Sequence, residues 1–491
     1  MTGFAEKARF EGRAGTLVAL AWILALTPAT SGRSQEPPPW PFDLRPLKEL
    51  RQSPRKVFAH YFTPFPISLD NRDPKTDYYA TGYLDPEGEK GKHRACGGYL
   101  RDRPIPRPPR KEKDWAALDL EEEVRRAAAI GLDGFACDLL ADSGALWQRT
   151  LALLDAAARA DPGFKIMLMP DMEAVFKGQP GKLKEAVHAL AKHPAVLRLD
   201  DGRLVVSPFN AQNRPAEWWK EWLGEMKKEG VEIAFVPLFQ GWECYAKDYA
   251  PISAGLSDWG WRVPTGNRQW RSVPARAHKY APIWMMPVAP QDMRPNQMIY
   301  WEAGNSESYR VIWEAAIEGG ADWVQLITWN DYSEHAHVAP SLCTQWAFYD
   351  LAAHYAQWFK TGQRPAIVRD VLYYFHRTQP TTAAPDAARQ PKRFAVQGGE
   401  KPRDEIELLA FLVQPGTLDI EIAGQKQQKE ADAGITSFKV PLANGRPVFR
   451  LLRAGKEVLK VVSQFEISDR IVVQDLLYRG GSSSRPPVPA P

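Results

Sequence analysis

Residues 323–340 read W-V-Q-L-I-T-W-N-D-Y-S-E-H-A-H-V-A-P. The apolar run at 323–328 has the length and composition of a buried strand, and it gives way at once to Trp329, Asn330, Asp331, Tyr332 and Glu334. A strand that ends in two carboxylates flanked by rings is costly as core, because a buried charge needs a partner. A solvated strand end would show the same letters, and only the neighbours in space decide between the two.

Seven runs of the same kind precede it, at 57–65, 134–140, 165–172, 204–209, 232–240, 253–261 and 282–290. Helical patterns at 118–130, 145–160, 181–192, 216–228, 266–279 and 306–318 separate most of them, and 343–361 follows the last. Pro215 opens one of these helices, a favourable N-terminal position. Eight strands alternating with helices predict a (β/α)8 barrel. An open doubly wound sheet is the alternative, but no G-x-G-x-x-G follows the first run. A Pro-, Gly- and charge-rich loop at 66–114 interrupts the first unit.

Past Arg364 the pattern changes, and from Glu405 short alternating runs separated by turn residues predict a small antiparallel β domain. The expected fold class is α/β, a (β/α)8 TIM barrel followed by that domain. Its expected divisions are a signal peptide at 1–34, a Pro-rich linker at 35–53, the barrel at 54–363, an extended linker at 364–403, a β-sandwich-like accessory domain at 404–479 and a disordered tail at 480–491.

A chain of 491 residues is too long for one small domain, and 44% hydrophobic with 25% charged residues is a globular composition. The net charge of +4 is small, and the basic cluster at 101–113 is interleaved with prolines, so no nucleic-acid partner is expected. Arg9 and Arg13, an apolar run at 17–26 and small residues at 29–32 have the pattern of a secretory signal peptide. A secreted or periplasmic location follows, with no stable membrane insertion after cleavage. Cys96, Cys137, Cys244 and Cys343 show no C-x-x-C spacing, which argues against a zinc or redox motif and leaves their pairing open.

In a barrel of this kind the C-terminal ends of the strands share one face. They would bring together His60 and Tyr61, Asp138, Asp171, Gln240, Asp258 and Trp259, and finally Trp329, Asn330 and Tyr332. Singly, an Asp after a strand is ordinarily a helix cap, and a lone His is ordinarily a satisfied buried imidazole. Recurrence at so many strand ends favours a polar pocket rimmed with rings. Rings stack on the apolar C–H faces of a pyranose while Asp, Asn and Gln bond its hydroxyls. Asp331 and Glu334 then supply the two carboxyl groups that glycosidic cleavage needs, provided a turn after Asn330 makes them converge. His335 and His337 raise a metal-dependent hydrolase as an alternative, but nine His in all give few further ligand clusters, and no metal or cofactor is expected. No G-x-S-x-G is present.

The segment I-T-W-N-D-Y-S-E resembles the strand-eight signature T-W-N-D-(Y/F)-G-E-S of the family 71 glycoside hydrolases, the α-1,3-glucanases or mutanases. V-F-A-H-Y-F is similar to the family's V-F-A-H-Y-M, G-L-D-G-F-A to its second-strand segment and M-P-V-A-P to its M-P-V-S-P, in the same order across 57–340. The resemblance implies a barrel with an accessory β domain and hydrolysis of internal α-1,3-glucosidic bonds with inversion. It implies Asp331 and Glu334 as the catalytic pair, with Glu334 as acid and Asp331 as base, and a polysaccharide or oligosaccharide as partner. Ser333 stands where the family has Gly, and His335 where it has Ser. A neighbouring family of endo-acting α-mannosidases carries a similar pair in N-E-W-H-E, so an α-mannosidase-like hydrolase is one alternative. A non-catalytic glycan-binding barrel is the other.

Overall fold

The computed structural model describes residues 39–489, so the expected signal peptide lies outside the described residues. Nine parallel strands form one curled sheet: β1 (Lys56–Tyr61), β2 (Gly134–Leu139), β3 (Lys165–Pro170), β4 (Leu204–Val206), β5 (Ile233–Phe235), β6 (Leu238–Phe239), β7 (Gly255–Asp258), β8 (Ile283–Val288) and β9 (Trp323–Leu326). Their order is β5-β4-β3-β2-β1-β9-β8-β7-β6. β5 and β6 stand at opposite ends of that order, yet only Val236 and Pro237 separate them in the chain. Pro237 has no N–H for the ladder, which breaks the single run expected at 232–240.

Side chains alternate across the sheet with a period of two. Phe58, Ala136, Met167, Met169, Val205 and Met285 pack together on one face. Val57, Ala59, Tyr61, Phe135, Leu168 and Met286 belong to the larger core shared with the helices. Those helices are α1 (Trp115–Ala129), α2 (Gly144–Ala160), α3 (Pro180–Ala191), α4 (Ala216–Lys228), α5 (Glu307–Gly319) and α6 (Ala347–Thr361). The helix expected at 266–279 is three short turns instead, Pro264–Gln269, Trp270–Ser272 and Val273–Ala277, since Pro274 cannot donate within a continuous helix. The 66–114 loop is ordered from within by a buried pair, Arg103 Nη1 to Asp77 Oδ1 at 2.8 Å, and by Asp102, which accepts the Cys343 N–H at 3.0 Å.

The C-terminal region is two four-stranded antiparallel sheets. Its strands are β10 (Val371–His376), β11 (Glu405–Leu412), β12 (Gly416–Ile422), β13 (Gln425–Ala431), β14 (Gly434–Pro441), β15 (Val448–Arg453), β16 (Lys456–Val462) and β17 (Arg479–Ser482). The sheet orders are β14-β11-β10-β17 and β13-β12-β15-β16. Leu372, Tyr374, Leu408 and Ala410 meet Leu418, Ile420 and Phe449 between the sheets, where the Tyr374 and Phe449 rings stack 5.2 Å apart. Tyr373, Phe375, Leu409 and Phe411 face the other way, into the core that includes α6. Phe375 meets Phe348 at 5.2 Å and Phe411 meets His354 at 5.4 Å.

Three stretches depart from the sequence expectation. β10 lies within the span read as an extended linker; it is apolar on both faces, so it shows no alternation to mark it as a strand. The span read as a disordered tail holds most of β17, and Arg485 beyond it donates to Asp350 at 2.9 Å. In the Pro-rich linker, Phe42 is buried and its ring meets His354 at 5.2 Å. Among the described residues no helix is long and apolar enough to cross a membrane.

Burial holds the His354 imidazole down to about 3, and neither ring nitrogen has a hydrogen-bond partner among the described residues. A pKa depressed on folding from 6.5 contributes stability that is present above pH 6.5 and lost as the pH falls towards 3. The Tm is therefore expected to drop between pH 7 and pH 4, with His354 contributing about 1 kcal/mol per pH unit. His354→Phe is expected to narrow that drop in calorimetric melts at the two pH values.

Candidate active site

The chain leaves β9 into a turn that local hydrogen bonds dictate. Asp331 Oδ1 accepts the Ser333 N–H at 2.8 Å, the Glu334 N–H at 3.1 Å and the Ser333 hydroxyl at 2.6 Å. This is the ordinary capping use of an Asp side chain, and it winds Asp331 and Glu334 into one turn. Asn330 locks that turn to the end of β1, accepting the Phe62 N–H at 2.8 Å and donating to the carbonyls of Phe62 at 3.0 Å and Phe65 at 2.9 Å. His335 fixes the far side. Its Nδ1 donates to the Met293 carbonyl at 2.8 Å, and its Nε2 accepts the Arg101 N–H at 2.8 Å. Burial lowers its pKa to about 3, which keeps Nε2 unprotonated as that second bond requires.

Glu334 faces a compact set of charges. Arg294 binds Asp292 through two parallel bonds of 2.8 and 2.7 Å, and its Nη1 lies 2.9 Å from Glu334 Oε1. Arg262, also buried, lies 3.4 Å from Asp292. Two arginines against Asp292 leave one positive charge, enough to balance one ionised carboxylate of the Asp331–Glu334 pair but not both. Burial pushes Glu334 up to about 8, and the Asp292 and Asp331 charges add to it against Arg294 and Arg262. Burial also raises Asp331, but its three donors and Arg294 oppose that rise. The pair thus holds one proton, and Glu334 keeps it more firmly. Among the described residues, Glu334 Oε2 has no hydrogen-bond partner.

Several residues named from the sequence share this region. His60 Nε2 lies 3.6 Å from Asp138 Oδ2, and the His60 ring meets Trp259 at 5.0 Å. Burial holds His60 near 3 and raises Asp138, whose pKa the Asp171 and Asp331 charges raise further. Asp258 plays a supporting part, since its carboxylate accepts the N–H groups of Gly241, Trp242 and Gly260. Gln240 is exposed and lines a groove next to Asp258.

Four of the expected pocket residues are not in the pocket. Tyr61 has the parity of Val57 and Ala59, faces the helices, and donates to Glu123 at 2.7 Å. Trp329 is buried in the same outer core, 5.3 Å from Phe135. Asn330 is fully buried, its amide spent on backbone. Tyr332 packs with Phe65, Tyr79 and Leu100 beneath the 66–114 segment. His335 is committed to the backbone as above, and His337 lies 3.0 Å from Asp102, so the H-x-H pair is used for packing the turn.

Arg294, Arg262, Trp301 and Tyr99 also stand in this region, though the sequence pattern does not single them out. An Asp-x-Arg pair at 292 and 294, just past a strand end, was the available signal for the first. Trp301 lies under the Arg294 guanidinium, 5.0 Å from it. Tyr99 comes from the 66–114 segment, its ring stacked on His93 at 4.4 Å, and its pKa is raised by burial and by the charges of Asp331 and Glu334. Nothing in its local sequence marks it.

A family model, glycosyl hydrolase family 71, matches residues 110–478. The chain belongs to this family. It is a glycoside hydrolase. A glucan endo-1,3-alpha-glucosidase of Schizosaccharomyces pombe is 25% identical over 376 residues, covering 70% of this chain and 85% of that protein. A mutanase of Penicillium rubens is 25% identical over 390 residues, covering 73% and 84%. Among solved structures, an endo-alpha-mannosidase of Bacteroides thetaiotaomicron is 15% identical with a TM-score of 0.48, covering 62% of this chain and 98% of that one.

Ser333, which stands where the family resemblance has Gly, stabilises ionised Asp331 with its hydroxyl. Ser333→Gly is expected to raise the Asp331 pKa and so move the acidic limb of the kcat/KM profile to higher pH, while the alkaline limb stays. A pH–rate profile of the two proteins checks it.

Proposed function

We propose that the chain is an endo-acting α-1,3-glucanase that cleaves with inversion. Glu334 protonates the departing glycosidic oxygen, and ionised Asp331 activates the attacking water. The observation that carries this assignment is the asymmetry of the two carboxyls. Asp331 Oδ1 takes three donors, as a base held in its charged form would, whereas Glu334 has a raised pKa and an oxygen, Oε2, with no partner among the described residues. The names of the two relatives support the glucan and its linkage.

His60, Asp138, Asp171 and Trp259 line the sugar subsite beside the pair. The sheet closes as an eight-stranded (β/α)8 barrel over 54–363, in which β5 and β6 are one strand broken at Pro237. Its first half pairs with β4 and its second half with β7, which supports closure. The basic, apolar and small-residue pattern at the N-terminus supports export.

Incubation with linear α-1,3-glucan tests the assignment. The native chain is expected to release oligosaccharides, and Asp331→Asn and Glu334→Gln are each expected to lower kcat by roughly 10²–10⁴-fold. Because Glu334 acts as an acid, activity is expected to fall as pH rises through about 8. Full activity in either variant overturns the assignment, and turnover of α-mannan in place of glucan overturns the substrate.

A further inference from the structure

Away from the carboxylate pair, the loops after β6, β7 and β8 enclose a groove of about 550 Å³. Trp242, Trp261, Trp270 and Trp301 line it, with Gln240 and Gln269 among them. Trp261 is 49% exposed, the only tryptophan among the exposed large apolar side chains of the described residues. A singly exposed ring is ordinary, but this one joins three other indoles in one groove on a turn that is firmly fixed. Asp258 ties the Gly241–Trp242 loop to the Gly260 turn through three backbone N–H groups. Gly260 sits at φ +77°, where a Cβ would approach Pro287 Cγ to 2.7 Å, so the turn that carries Trp261 lies tightly against β8. Arg262, the next residue, donates to the Trp259 carbonyl at 2.6 Å.

Trp301 links the groove to the carboxylate pair. It forms part of the groove wall and also carries the Arg294 guanidinium, which bonds Glu334. Its chemistry selects the occupant. The charges in the wall are already matched, Arg276 by Glu243 and Asp258 by its backbone donors. What remains is indole faces and side-chain amides, which suit the C–H faces and hydroxyls of an uncharged pyranose.

We propose that this groove is a distal subsite for neutral sugar units of the same polysaccharide strand, with Trp261 as its stacking platform. The inference rests on the glucanase reading and deepens it, since a subsite removed from the cleavage point rewards long chains and internal attack. The native chain's turnover of α-1,3-glucan reports on the glucanase reading alone.

The groove is tested by binding of linear α-1,3-gluco-oligosaccharides to the Glu334→Gln protein, with and without Trp261→Ala. Kd is expected to rise about tenfold for oligosaccharides long enough to reach Trp261, as loss of one stacked ring predicts. In the active protein, Trp261→Ala is expected to raise the ratio of KM on long glucan to KM on short oligosaccharides by a similar factor, and Trp261→Phe to restore most of it. An unchanged Kd and KM ratio overturns the proposal, even with native turnover intact. Equal binding of an anionic oligouronate overturns the neutral specificity.

Discussion

Asp292 holds Arg294 by two parallel hydrogen bonds, and the protonation of the whole carboxylate cluster depends on that pair. An arginine left free beside Glu334 would ionise it outright. Bound by Asp292, it offers Glu334 one guanidinium edge at 2.9 Å and only part of its charge. Burial then wins, and Glu334 retains a proton near neutral pH. Asp331, three residues away, is solvated by its own turn instead. Two carboxyls of one short motif thus meet different surroundings, because one faces an arginine already spoken for and the other faces the donors of its own turn.

The turn that carries both groups is held from three sides. Asn330 fastens it to β1, His335 fastens it to the β8 loop and to Arg101, and Asp102 and His337 join its far end to the 66–114 segment. That segment is part of the site's construction as much as its cover. Such support would keep the proposed acid and base within the narrow tolerance that proton transfer needs. The C-terminal sheets pack against the curled-sheet region through α6. Tyr373, Phe375 and Phe411 pack in the core with α6, while Leu372 and Tyr374 build the second core between the sheets.

The strand and helix pattern was largely legible because it is written in local periodicity. The eight apolar runs mark the nine strands of the curled sheet, with one run broken at Pro237. The motif at 329–334 was legible as chemistry because two carboxylates after an apolar strand have few inexpensive explanations. Four of its neighbours misled. Tyr61, Trp329, Asn330 and Tyr332 looked like a sugar platform, yet each is buried away from the pocket. For Tyr61 the parity along β1 gave the answer, since His60 and Tyr61 must face opposite ways. For the other three, the ladder ends at Leu326 and the turn that follows has no period to read.

The sequence by itself determined the alternation of strands and helices, the β character of the C-terminal region, and the spacing of Asp331 and Glu334 just past the last strand, while their turn was left conditional. Those depend on backbone propensity and side-chain period, and the turn on hydrogen bonds between residues two or three apart. Only the tertiary structure decided which carboxyl keeps a proton, that Arg294 and Arg262 stand beside it, and that Trp261 and Trp301 line a groove leading away. Desolvation and Coulomb energy depend on distance in space and on the water excluded between groups, and residues 262, 294 and 334 are brought together only by the folded sheet.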